Sequence, residues 1–321
     1  MRRRRGPAVV ARVSILVLAV ACSGGRTAAA PAAPTTATPD TQAPQAGSGY
    51  GPPTLLGRID DPAIDESSGL VASRRNPGRL WTHNDSGDDP VVYCLDGQAR
   101  TCGVWKVTGA DAFDWEDIAA GPGPTPGEPY LYVGDIGDNI DQRSQIVVYR
   151  IPEPTVGGGG AVGTKAAPTP TATAEALRLR YPDGARNAEA LLVHPVTGDI
   201  YVMSKEAQGA GVYRATAPVD PKSVTTLAKV ATLQLGAAEV VTGGDISPDG
   251  RRVALCTYSR GYELQVPAGA ASFDAVWSQA PATVDLGFRL QGESVAYRLD
   301  GRALLTTSEI YPSPLQQVER R

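Results

Sequence analysis

Five segments of the chain open on an acid. They are Glu66 in ESSGLVASRRNPGRLWTHND, Glu116 in EDIAAGPGPTPGEPYLYVGD, Glu189 in EALLVHPVTGDIYVMSKE, Asp245 in DISPDGRRVALCTYS and Glu293 in ESVAYRLDGRALLTTSE. Carboxylates brought to one place repel unless a cation or a paired base offsets them. Ca2+ suits such a set, because it takes about six to eight oxygen ligands from carboxylates and carbonyls. Two loops add to the acid density, THNDSGDD and GDIGDNIDQR. Both alternate oxygen donors with glycine, without the spacing of an EF-hand. The candidate metal ligands are therefore Glu66, Asp85, Glu116, Asp135, Asp138, Glu189, Asp245 and Glu293. The competing expectation is architectural: an acid needed once per unit to cap a strand entry would recur with the same period.

Other chemistry has fewer candidates. His83 lies beside the first acidic loop and could serve as ligand or base, whereas His194 in VHPVTGD belongs to a turn. Arg143, Lys205 and Arg260 follow strand ends and could meet an anionic substrate, although salt bridges to the acids explain them equally well. The sequence holds no GxSxG elbow, HExxH, Walker A loop or CxxC pair. Hydrolysis, if present, would run by metal-assisted attack of water.

The elements that must position these residues are strands. Gly 36 and Pro 27 exclude a long helical bundle, because both residues are poor in helix interiors. Apolar runs are short, rich in Val, Ile, Leu, Tyr and Thr, and bounded by Gly, Pro and Asp turns. The five acid-led units recur at about fifty residues, the period of four-stranded propeller blades. The reading is all-β: a β-propeller of four-stranded blades over 54–321, five by count and six if one unit merges two. A low-complexity loop insertion at 157–173 widens one interval. The last unit lacks a fourth strand, and TLLGRID at Thr54–Asp60 could supply it and remove the exposed edge. Each inner strand would start at the mouth of a central channel. The second strand would return there at Asn84–Asp85, Asp135, Lys205–Glu206 and Glu309.

DISPDGRRVAL resembles the S-P-D-G hairpin of TolB/WD40-like propeller repeats. The series ESSGL, DWEDI, GDIGDN and NAEALLV is similar to the phytase-like esterase family and to SdiA-regulated-type propellers, over roughly 58–310. The resemblance implies a propeller with a calcium-dependent or phosphoester-related activity.

The start, MRRRRGPAVVARVSILVLAVACSGG, has a basic n-region and the apolar run Val13–Ala21, too short to span a bilayer. Residues 1–22 read as a signal peptide. Ala19-Val20-Ala21-Cys22 resembles the lipobox of bacterial lipoproteins, with Ala19 where Leu is usual, which implies lipidation at Cys22. Ordinary secretion is the alternative. Residues 23–53, almost wholly Ala, Pro, Thr, Gly and Gln, read as a disordered tether. Cys94 and Cys102 flank a DGQA turn and are expected to form a disulfide outside the cell, while Cys256 in an apolar run should be a buried thiol. Net charge is −4, and the arginines of the leader hide a more acidic remainder. That argues against nucleic acid, whose phosphates are bound by clustered Lys and Arg. The expected protein is a monomeric, lipid-anchored module at the cell envelope that binds a small molecule or a protein. The alternative is a metal-assisted hydrolase of phosphoesters.

Overall fold

The computed structural model describes residues 49–157 and 162–321. The signal peptide, Cys22 and residues 23–48 of the expected tether lie outside the described residues. So do positions 158–161 of the insertion.

The strands form five antiparallel blades. Blade one is Ser67–Ala72, Arg79–Asn84, Val91–Asp96 and Thr101–Lys106; blade two is Trp115–Pro122, Pro129–Asp135, Ile146–Pro152 and Glu175–Arg180. Blade three is Ala188–Val193, Ile200–Ser204, Ala210–Ala215 and Ala228–Leu233. Blade four is Gly243–Ile246, Arg252–Cys256, Gly261–Gln265 and Ala282–Val284. Blade five takes Ala296–Tyr297, Ala303–Thr306 and Ser313–Glu319 from the end of the chain and its outer strand, Thr54–Ile59, from the start. The inner strands neighbour one another in a closed ring, with blade five against blade one. The protein is a five-bladed β-propeller.

Side-chain alternation explains the packing. Successive residues of a strand face opposite sides, so Val202 packs towards blade two while Tyr201 and Met203 pack towards blade four. Both faces of an inner blade are buried, which is why runs such as Ala190–Val193 are continuously apolar. Five apolar clusters result, one in each seam between blades. Each fully buried Leu, Ile or Val there contributes about 1.5–3 kcal/mol of transfer free energy. The S-P-D-G turn of blade four also reaches the neighbouring seam. Gly250 has φ +67, and a Cβ there would lie 3.0 Å from the His194 ring. His194 is itself held by the N–H groups of Val196 and Thr197, which donate to Nδ1. It is a structural histidine.

Two stretches read as low complexity are partly built into the ring. Tyr50, inside the expected tether, is buried; it bridges to Arg320 and donates its hydroxyl to Glu263 Oε1 at 2.6 Å. The propeller thus takes in Tyr50, a residue ahead of Pro53. Thr169–Pro170 of the insertion adds a short parallel strand to the outer edge of blade one. Nearby, Lys165 Nζ lies 2.8 Å from Asp88 Oδ1. Cys94 and Cys102 are joined across the hairpin of blade one, and Cys256 is free and buried.

Polar staples hold the channel wall. Asp117 Oδ2 accepts the backbone N–H of Leu191 in blade three at 3.0 Å and of Gly244 in blade four at 3.4 Å. Asp245 Oδ2 accepts the N–H of Tyr297 in blade five at 2.8 Å, and Ser68 Oγ donates to the Glu116 carbonyl at 2.6 Å. Burial pushes both aspartates up, Asp245 to about 7 and Asp117 well above the ordinary range, against the pull of these N–H donors.

Candidate metal centre at the channel mouth

One backbone bond sets the register at the mouth. In four blades a residue one to three positions past the second strand donates its N–H to a residue one to five positions ahead of the inner strand. The pairs are Asp85 to Glu66 at 2.9 Å, Gly137 to Asp114 at 3.1 Å, Lys205 to Asn187 at 3.0 Å and Glu309 to Gln291 at 2.9 Å. Counting two residues on from each acceptor reaches Ser68, Glu116, Glu189 and Glu293. Glu116 and Glu189 also sit at β-bulges of their strands, a device that re-aims a side chain at a sheet end.

This register separates the five segment-opening acids. Glu116, Glu189 and Glu293 are equivalent, and all three are buried. Glu66 stands two residues too early, matching Asp114, and its carboxylate is exposed at the rim. Asp245, followed by Ile246 as Asp117 is by Ile118, stands one residue too late. It is half-buried, and its Oδ2 accepts the backbone N–H of Tyr297. Neither Glu66 nor Asp245 enters the cluster described next.

Two carboxylate triads share one member. Asp85, Asp114 and Glu116 form the first, and Asp85, Glu293 and Glu309 the second; within each, one oxygen per residue lies within 4.8 Å of the others. Asp85 and Glu309 follow second strands, while Asp114, Glu116 and Glu293 come from the entries to inner strands. Glu189 lies beside them, ion-paired to Lys205, whose ammonium sits 5.1 Å from the centre of the Tyr258 ring of blade four. Sequence reasoning put Glu309 on this face without counting it as a ligand, and it missed Asp114. The D-W-E spacing could have found Asp114, since residues two apart in a strand share a face.

The remaining candidates go elsewhere. Asp135 is paired to Arg143 at 2.7 Å. Asp138 accepts the Arg143 backbone N–H at 2.6 Å and shapes that loop. Arg143 also donates to the Gly137 carbonyl at 2.7 Å and covers the exposed Phe113 ring at 4.9 Å. Arg260 pairs with Glu239 at 3.5 Å with its side chain 62% exposed. His83 is wholly buried, its Nδ1 bonded to the Asn84 carbonyl at 2.7 Å and its ring edge-on to Trp115. Burial pushes its pKa down to about 4, so it is neutral and out of reach of a substrate.

Electrostatics at the mouth are strained towards proton uptake. Burial, then Glu309, Glu189 and Asp85, raise Glu293 to about 10. Burial raises Glu189 to about 7 although Lys205 opposes it. Glu116 is raised well above the usual range by burial and by Glu189, Asp85 and Asp114. Asp85, Asp114 and Glu309 are each raised, burial being the main cause. For Lys205, burial disfavours the charge, but Glu189 beside it outweighs that and the pKa rises.

The residues present fit a hard divalent cation. All donors are carboxylate oxygens, and oxygens about 2.4 Å from a central Ca2+ are at most about 4.8 Å apart. Glu309 Oε2 is buried with no hydrogen-bond partner. Gly137 leaves the space: a Cβ there would lie 2.1 Å from Glu116 Oε1 and 2.4 Å from Asp114 Oδ2.

No protein-family model and no curated protein matches this sequence. Several solved structures are similar in fold. A chain of a nidogen/laminin complex shares 13% identity at a TM-score of 0.43, over 76% of this chain and 72% of that one. A luciferin-regenerating enzyme shares 11% at 0.44, over 84% and 95%. The propeller domain of Cps50 (Swd1) from Myceliophteria thermophila shares 10% at 0.45, over 83% and 99%. The architecture of this chain is established by its own strand pairing.

Proposed function

We propose that the protein is exported, anchored through lipid at Cys22, and binds Ca2+ at the acidic mouth of its propeller as part of a ligand- or protein-binding site at the cell envelope. One observation carries the reading. Asp85, Asp114, Glu116, Glu293 and Glu309 converge, and among the described residues none of the five has an ion-pair partner, the nearby cations being committed to Glu189 and Asp135. Buried like charges of this kind persist only with protons or a cation among them. The likeness of the blade-opening motifs to phytase-like esterases and SdiA-regulated-type propellers points the same way.

The two triads would hold the ion, Asp85 serving both. When bound, Ca2+ supplies a positive centre that can take an oxygen of the ligand. Lys205 keeps Glu189 charged beside it, and Arg143 fixes the loop that carries Gly137. Binding is preferred to phosphoester hydrolysis because Arg260 stays with Glu239, His83 is buried, and both remaining cations are paired with acids. The membrane is met through the lipid alone, the domain acts as a monomer, and nucleic acid is not a partner.

Calorimetric titration of Ca2+ into the chelator-treated protein tests this. Saturable binding with proton release supports it, and the absence of binding at millimolar Ca2+ contradicts it. Ca2+-dependent turnover of p-nitrophenyl phosphate would replace the binding role with the hydrolytic one.

A further inference from the structure

Beside the mouth lies a concavity of about 420 Å3, formed largely by Phe288–Leu290 of the loop that leads into blade five and by Ser308, Ile310, Tyr311 and Pro312, with Leu55 and Arg58 of the closing strand. Its walls mix apolar side chains with Arg58, Arg289, Ser308 and Gln316, and it is open to solvent. Phe288 is 81% exposed and Leu290 67%, and Ile310 and Tyr311 are also exposed. Exposed apolar side chains gathered in one place mark binding sites more often than ordinary surface.

Arg289 lines the cleft between Phe288 and Leu290 and is only 5% exposed. Its Nη1 donates to Thr306 Oγ1 at 3.2 Å and its Nη2 to the Arg260 carbonyl at 3.3 Å, while Nε has no partner. Among the described residues no carboxylate pairs with it. A buried guanidinium left to neutral acceptors is unusual, because a buried charge is normally matched by an opposite one. Burial accordingly pulls its pKa down. Gly292 gives it room, since a Cβ there would lie 2.2 Å from Nη1. No acidic residue lines the cleft, and its second charged residue is Arg58.

We propose that this cleft is a binding site for a small apolar carboxylate, its acid group held by Arg289 and Arg58 and its aryl or alkyl body lying on Phe288, Leu290, Ile310 and Tyr311. The volume suits a single such molecule, being within the range of small-ligand pockets. A guanidinium is matched to a carboxylate by its paired donors. This site rests on its own residues and does not need the cation.

The test compares three probes of one shape, 4-phenylbutyrate, 4-phenylbutan-1-ol and 4-phenylbutylamine, titrated calorimetrically into the chelator-treated protein. The acid should bind at least about tenfold more tightly than the alcohol, and the amine least. F288S combined with L290S should weaken the acid at least about tenfold and leave Ca2+ titration unchanged. R58A should narrow the preference for the acid. R289M, where circular dichroism shows it folded, should abolish that preference; if it does not fold, the other two variants decide. Equal binding of acid and alcohol, tightest binding of the amine, no binding of any probe below about 10 mM, or full affinity in the Phe288/Leu290 variant would each overturn the proposal.

Discussion

Glu293 and Glu309 flank the first hairpin of blade five and bring carboxylate oxygens within 4.8 Å of each other. Among the described residues neither is in an ion pair. The mouth therefore holds protons when it holds no cation, and pH should move its stability in a definite direction.

Glu189 and Glu293 rise from the ordinary 4.5 to about 7 and about 10. The folded state then binds more protons than the unfolded one, so their contribution is fully present below about pH 4.5 and is lost as pH rises through about 7 and about 10. The melting temperature of the chelated protein should fall between pH 5 and pH 8. Added Ca2+ should shrink that fall, because it takes the place of the protons. A melting temperature that rose over this interval without Ca2+ would show that the acids are not held as described.

Gly137→Ala should separate folding from binding. The new methyl group meets the tips of two flexible side chains, Glu116 and Asp114, so the blade should keep its circular dichroism. The displaced carboxylates should cost at least about tenfold in Ca2+ affinity, about 1.4 kcal/mol. Unchanged affinity in calorimetry would place the ion away from the first triad.

Lys205→Met removes the partner of Glu189 and leaves a buried acid unmatched. The apo protein should lose more stability at pH 8 than at pH 5, where Glu189 can take up a proton. Its stabilisation by Ca2+ should grow in the same thermal melts. Equal loss at both pH values would assign Lys205 a packing role.

Cys22→Ala should release the protein from membranes in a fractionation of cells, while the wild type stays bound. Equal retention of the two would remove the lipid anchor from the proposal.

The sequence made the blades legible because their physics is local. Continuous apolar strands, Gly and Asp turns and a fifty-residue period identify a propeller, and TLLGRID was recognisable as the missing strand of the last unit. The mouth was legible only in part. Each unit opens on an acid, but Glu66 and Asp245 occupy other registers, two residues early and one late. What fixes the register is a backbone bond from the end of the second strand, and side-chain identity does not reveal it. Arg289 gave no signal at all, since an arginine between Phe and Leu reads as an exposed turn residue until Gly292 and Thr306 are seen around it.

Asp85 belongs to both triads, so its replacement tests the centre most directly. Thermal melts of wild type, Asp85→Asn and the rim variant Glu66→Gln, each with chelator and with a hundredfold excess of Ca2+ over Kd, are the decisive measurement. Wild type and Glu66→Gln should both be stabilised by Ca2+, by about 2.7 kcal/mol at that excess, and Asp85→Asn should respond little. A wild-type melting temperature indifferent to chelator and millimolar Ca2+, or an Asp85→Asn protein that responds as wild type does, would contradict a metal centre at the mouth.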